Sequence, residues 1–185
     1  MSITKLKRAI ALAVLFTVAG LTQARAAQPA VDNNTPDLPP GACDSIRVEA
    51  GNEVAFHAYA SGVQVYRWSG TAWVFVEPVA NLFASRNYHG QVGTHYAGPT
   101  WESNSGSKIV GRRVAGTGCT PDANSIPWIL LEAVSTEGPG IFDGVTFVQR
   151  VNTTGGSAPS TPGSFAGEEA RIPYTAEYYF YRAAN

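Results

Sequence analysis

From Ser45 onward the chain alternates apolar and polar residues at the two-residue period of a β-strand, and glycine-bearing turns interrupt it at short intervals. Glu53–Tyr59 sets Val54, Phe56 and Ala58 against Glu53, His57 and Tyr59. Val63–Trp68 and Ala72–Glu77 flank Ser69-Gly70, the small flexible pair of a tight hairpin. Both faces of that hairpin are apolar, which predicts a central position covered on each side. The alternation breaks over 77–83, where Pro78 suits a first helical turn, so one short helix is expected there.

Further along, Tyr96–Glu102 and Ser107–Val114 read as a second hairpin turning at Asn104-Ser105-Gly106. Pro127–Val134 is apolar except for Glu132 and has the length of a buried strand. Gly144–Asn152 alternates, with Val145, Phe147, Gln149 and Val151 on one side. After the Gly/Pro/Ser loop of 153–167, Tyr174–Tyr181 closes the chain as a strand with aromatic rings on both faces. About eight or nine strands joined as hairpins make an all-β fold, a single antiparallel β-barrel or a two-sheet β-sandwich with one short helix.

The N-terminus has a different character. Lys5, Lys7 and Arg8 precede the apolar run Ala9–Leu21, and Ala24-Arg25-Ala26 supplies a small-x-small cleavage pattern. The run is shorter than the ~20 residues of a membrane-spanning helix. Residues 1–26 are therefore expected to be a signal peptide, 27–41 a flexible Pro-rich leader and 42–185 a single β domain, exported to the periplasm or the extracellular space. The signal takes four of the 13 basic residues and none of the 14 acidic ones, leaving nine against 14, a net charge of −5. That balance lacks the basic stripe a nucleic-acid partner requires, and no membrane span remains after cleavage. Two cysteines, Cys43 and Cys119, remain. In an oxidising compartment such an isolated pair reads as a disulfide, and a loop that long is stabilised by about 4 kcal/mol on closure.

The segments GTHYAGPTWE (93–102), GSKIVG (106–111), IPWILL (126–131), GVTFVQRVNTTGGSAP (144–159) and IPYTAEYYFYR (172–182), in this order, resemble domain-of-unknown-function family 3455. The resemblance covers about Gly41 to Arg182 and implies an exported protein with no established activity. The dehydrogenase activity ascribed to some fungal members finds no support, since Gly138-Pro139-Gly140 lacks the third glycine and the strand-to-helix setting of a dinucleotide site. The sequence also departs from the family pattern. Trp68 stands where members often carry a cysteine, and Ser160–Gly163 holds no partner for one. A Cys43–Cys119 bridge is thus local to this chain.

Chemistry-bearing residues concentrate in Gly93–Gly111, which holds a histidine, two aromatic rings, a carboxylate and the one lysine outside the signal. His95, Tyr96, Trp101, Glu102 and Lys108 are the candidate ligand-binding residues. An aromatic platform beside polar groups suits a small molecule or a glycan. A hydrolase or metal-assisted enzyme using His95 and Glu102 is the alternative, and a purely structural protein is a third reading. In that third case Glu102 and Lys108 form an ordinary surface pair, and Gly93, Gly98 and Pro99 serve the backbone alone. No cofactor motif and no zinc spacing among His57, His89 and His95 is present, and no G-x-S-x-G elbow occurs. Glu132, Arg150 and Glu177, charged residues within apolar strands, are expected to face solvent or to pair with one another.

Overall fold

The computed structural model describes residues 35–184. The expected signal peptide, 1–26, lies outside the described residues. Eight strands follow one another in chain order: β1 (Asn52–Trp68), β2 (Trp73–Phe83), β3 (Gln91–Tyr96), β4 (Thr100–Ser103), β5 (Lys108–Arg113), β6 (Ile129–Glu137), β7 (Val145–Gly155) and β8 (Glu169–Ala183). Each pairs antiparallel with the next, and β8 returns to pair with β1 from Asn52↔Ala183 to Arg67↔Glu169, closing a barrel. Of the two architectures open to the sequence, the barrel is the one formed.

Inward-facing residues of all eight strands except β7's charged end build an apolar interior that includes Phe56, Ala58, Ala80, Leu82, Trp101, Ile109, Leu131, Val148, Tyr178 and Phe180. Phe142, on the β6–β7 connection, is fully buried and packs against Phe56 and Phe180, with ring centroids 6.2 and 4.8 Å away. It fills the barrel end where β2–β3, β4–β5 and β6–β7 turn. The opposite end, where β1–β2, β3–β4, β5–β6 and β7–β8 turn, is the one that carries polar groups.

Several local expectations are corrected. The two strands expected over 53–68 are one, because Gly62 marks a close approach and not a break: a Cβ there would lie 2.2 Å from the Val79 carbonyl oxygen. No helix forms over 77–83, and the only helical turn among the described residues is Asp44–Ile46. Pro78 sits inside β2, opposite Gln64, beyond the point where β3 begins to pair. On that unpaired side its missing N–H costs no ladder bond. The β1–β2 hairpin is not covered on both faces either, since Val74 is 53% and Phe75 50% exposed. Tyr96–Glu102 is two strands divided by Ala97-Gly98-Pro99. Register shifts at Val54/Phe56 and Val145/Phe147 move Val54 to the outer cluster and Val145 to the inner one, against the simple alternation.

A second apolar cluster lies outside the wall. Leu38, Cys43 and Ile46 pack there on Val54, Trp128, Leu130, Val151, Tyr179 and Tyr181. Gln149 extends outward to donate to the Ile46 carbonyl (2.7 Å) and accept from Tyr181 Oη (2.8 Å). Cys43 and Cys119 are bridged, with Cα atoms 5.2 Å apart, so the expected disulfide forms. Leu38, inside the stretch read as leader, is buried in this strap.

Candidate functional site

The β1–β2 hairpin is longer than its neighbours. β3 pairs with β2 only from Ala80 to Phe83, so Trp73–Val79 overhangs the β3–β4 turn. Beneath the overhang a pocket of about 280 Å³ opens into the polar barrel end. Phe75, Val76, Pro78, Ile129 and Leu131 supply its apolar wall, Gly98 and Pro99 its lip, and Gln64, His95, Trp101, Arg113, Arg150 and Tyr178 its polar and aromatic lining. The volume is near the lower end of the roughly 300–1,000 Å³ found in small-molecule sites.

The five sequence-derived residues divide between the two sides of the wall. His95 and Trp101, opposite each other in the β3–β4 register, face inward and line the pocket. Their rings stack, with centroids 4.4 Å apart and planes at 8°, and both meet Tyr178 edge-on. Tyr96, Glu102 and Lys108 do not line it. Tyr96 Oη donates to Glu102 Oε2 (2.6 Å), and Lys108, although opposite Glu102 in register, pairs with Glu137 (2.8 Å). Period-two alternation separates His95 from Glu102, so the two do not converge as an acid–base pair.

Glycines at this site act through space. Gly93 acts by contact: a Cβ there would lie 2.2 Å from the Glu102 carbonyl oxygen. At Gly111 a Cβ would come within 2.9 Å of the Trp101 ring. Gly98 does adopt a left-handed φ of 122° at the turn.

His95 is almost fully buried, and its Nδ1 donates to the Thr100 carbonyl (2.8 Å). That bond fixes the neutral tautomer and leaves Nε2 as an acceptor. Burial lowers its pKa to about 3, opposed by the Thr100 bond and assisted by the Arg150 charge. The unfolded chain therefore takes up a proton below about pH 6.5 that the folded protein refuses. Stability from this group is complete above pH 6.5 and falls as pH drops towards 3, by about 2 kcal/mol at pH 5. Urea unfolding at pH 7 and pH 5 measures this loss, and His95→Phe is expected to reduce the difference by most of that amount.

Burial elsewhere in the pocket leaves polar atoms unanswered. Gln64, Trp101 and Tyr178 are each no more than 2% exposed, yet Gln64 Nε2, Trp101 Nε1 and Tyr178 Oη have no hydrogen-bond partner. Tyr174 Oη, behind Tyr178, has none either. The two hydroxyls lie near one another, Gln64 and Arg150, but no contact closes with hydrogen-bond geometry. Each such group carries a desolvation cost of about 1–3 kcal/mol that a partner would relieve.

The three charged strand residues behave differently from one another. Glu132 pairs with Arg112 (2.8 Å) on the surface. Buried Glu177 meets His57 Nε2 (2.9 Å), whose ring stacks on Tyr179 at 4.0 Å. Glu132 faces solvent, as one of the two expectations had it, whereas Glu177 is buried and pairs with His57 and not with Arg150. Arg150 makes no ion pair among the described residues and instead donates from Nε and Nη2 to the Pro127 carbonyl (3.2 and 2.8 Å). Arg113 Nη2 likewise donates to the Thr117 carbonyl (2.6 Å). The Cys119 bridge ties down the 117–127 segment that holds both guanidinium groups.

Gln64, Arg113, Arg150 and Tyr178 escaped the sequence reading. Their signal was weak: a polar residue in each of four strands, brought together only by barrel closure. Among the described residues no helix is long and apolar enough to cross a membrane, and no three His, Cys, Asp or Glu side chains group as a metal site. Neither a curated protein nor a solved structure matches the chain. The family described as protein of unknown function (DUF3455) matches it over residues 49–182. Every residue that lines the mouth falls within that span, and the chain belongs to DUF3455.

Proposed function

We propose that this protein is exported and binds a small molecule in the barrel mouth, at a site that keeps His95 and Trp101 of the sequence-derived set and adds Gln64, Tyr178 and Arg150. One observation carries the reading: three of the side chains that line the pocket are at least 98% buried and carry polar atoms without a partner. Natural proteins rarely leave such groups unsatisfied, and a ligand that pairs with them offsets their desolvation. Export is supported by the N-terminal pattern Lys5–Ala26 and by a disulfide, which persists in oxidising compartments.

Binding follows from pocket occupancy, so it is tested by filling the pocket. The purified protein, screened by thermal shift against neutral, anionic and cationic small molecules and simple sugars, is expected to give saturable stabilisation. Val76→Trp places a large ring at the mouth from a position already 40% exposed, where folding tolerates it. The variant is expected to abolish the shift. Saturable binding that survives Val76→Trp unchanged, or no response to any class, would overturn the proposal.

A further inference from the structure

The distribution of cations and carboxylates around the barrel is uneven. Nine basic side chains lie among the described residues, and six of them pair with a carboxylate: Arg47, Arg67, Arg86, Lys108, Arg112 and Arg182. Arg113, Arg150 and Arg171 do not. Two of these three line one pocket. In a chain whose acids outnumber its bases, no Asp or Glu lines that pocket at all.

We infer that the mouth takes a small apolar organic acid, its carboxylate held by Arg150 and Arg113 and its carbon skeleton by Phe75, Val76, Ile129 and Leu131. This assignment rests on the mouth being a small-molecule site and names what that site prefers. The register supports it. Arg150 of β7 lies opposite Ile129 of β6, and Arg113 of β5 lies opposite Leu131 of the same strand. The two arginines thus flank β6 with their backbones roughly 12 Å apart, two strand spacings across and two residues along. Ile129 and Leu131 form the apolar floor between them.

Arg150 is half-buried, and its charge is felt by His95, Tyr66, Tyr174 and Tyr178, each of whose pKa values it lowers. A cation inside a wall of aromatic rings, satisfied only by one backbone carbonyl, is incompletely compensated. A carboxylate supplies the missing charge and accepts the parallel N–H bonds that a guanidinium presents. Gln64 Nε2 and Tyr178 Oη are further donors beside it, and both lack acceptors. His95 stays neutral and offers an acceptor rather than a second cation, so it can accept a hydrogen bond from a hydroxyl that binds nearby without competing for the carboxylate's charge. A sugar fits less well, because its hydroxyl donors would find few acceptors and no carboxylate in this lining.

The test compares octanoate, octan-1-ol and octylamine, matched in chain and differing in charge, by titration calorimetry on the purified protein at pH 7.5. Octanoate is expected to bind at least tenfold more tightly than octanol, and octylamine more weakly than either. Arg150→Gln is expected to remove the octanoate preference, a loss of tenfold or more, while leaving octanol binding within about twofold. Arg113→Gln, at an exposed rim position, is expected to reduce the preference by a smaller factor, and it provides the comparison if Arg150→Gln fails to fold. Equal binding of octanoate and octanol, or tighter binding of octylamine, overturns the acid assignment and leaves the small-molecule site standing. Failure of all three, with Val76→Trp also without effect on any screened compound, overturns the site itself.

Discussion

Replacing Trp101 by alanine is expected to lower the unfolding free energy by about 3–5 kcal/mol, the range for deleting a large buried aromatic ring. The indole is 1% exposed. It stacks on His95 at 4.4 Å and meets Tyr178 at 5.5 Å and Phe180 at 6.1 Å. Gly111 has no side chain where the ring passes. The surrounding wall is built from hydrogen-bonded strands that cannot collapse into the gap, which places the loss in the upper part of the range. Chemical unfolding monitored by far-ultraviolet circular dichroism measures it. A loss below about 1 kcal/mol would mean that the ring is not the keystone of this end. Trp101→Phe should recover a large part of the difference, because a smaller ring still stacks on His95.

Reduction of the Cys43–Cys119 bridge is expected to cost about 4 kcal/mol, since the loop it closes spans a sequence separation of 76 residues. The strap it anchors buries Cys43 and Ile46 completely, so chain entropy is only part of its effect. Without the bridge, Leu38–Ile46 is held by side-chain packing, by the Gln149–Ile46 bond and by the hydrogen bonds between Ser45 and Gly118. The Cys43→Ser/Cys119→Ser double variant, compared with the oxidised protein in urea, measures the loss, and a dithiol reductant should reproduce it. A midpoint unmoved by either treatment would show that the strap is held without its covalent tie.

The architecture was legible in the sequence because strand periodicity is a local property. Gly144–Asn152 and Tyr174–Tyr181 appear in the structure as the centres of β7 and β8, and the Ser69-Gly70 turn lies where the hairpin does. Pro78 misled because proline is read as a helix start or a strand break, and only the register shows that β3 stops short of it. Gly62 and Gly93 look like turn residues in one dimension, whereas each is the point where a neighbouring strand's carbonyl comes too close for a Cβ.

The site was half legible for a similar reason. His95 and Trp101 were noticed as residues of unusual chemistry, and the same stretch brought in Tyr96, Glu102 and Lys108, which alternation sends to the outer surface. Arg150 was grouped with Glu132 and Glu177 as a charge in an apolar strand. What distinguishes it is that no carboxylate lines its pocket, a fact about the other strands and not about its own. Gln64 lies between valines in a hairpin, and nothing in that run announces a buried amide without a partner.

The order of strands around the barrel has a consequence for when the fold can close. Seven of its eight seams join strands that are neighbours along the sequence, but the eighth joins the first strand to the last. β1 can meet β2 as soon as both exist, yet its other edge stays open until Glu169–Ala183 arrives. A chain that emerges N-terminus first therefore cannot close this barrel until its last strand is free to pair, whatever the earlier strands have already formed.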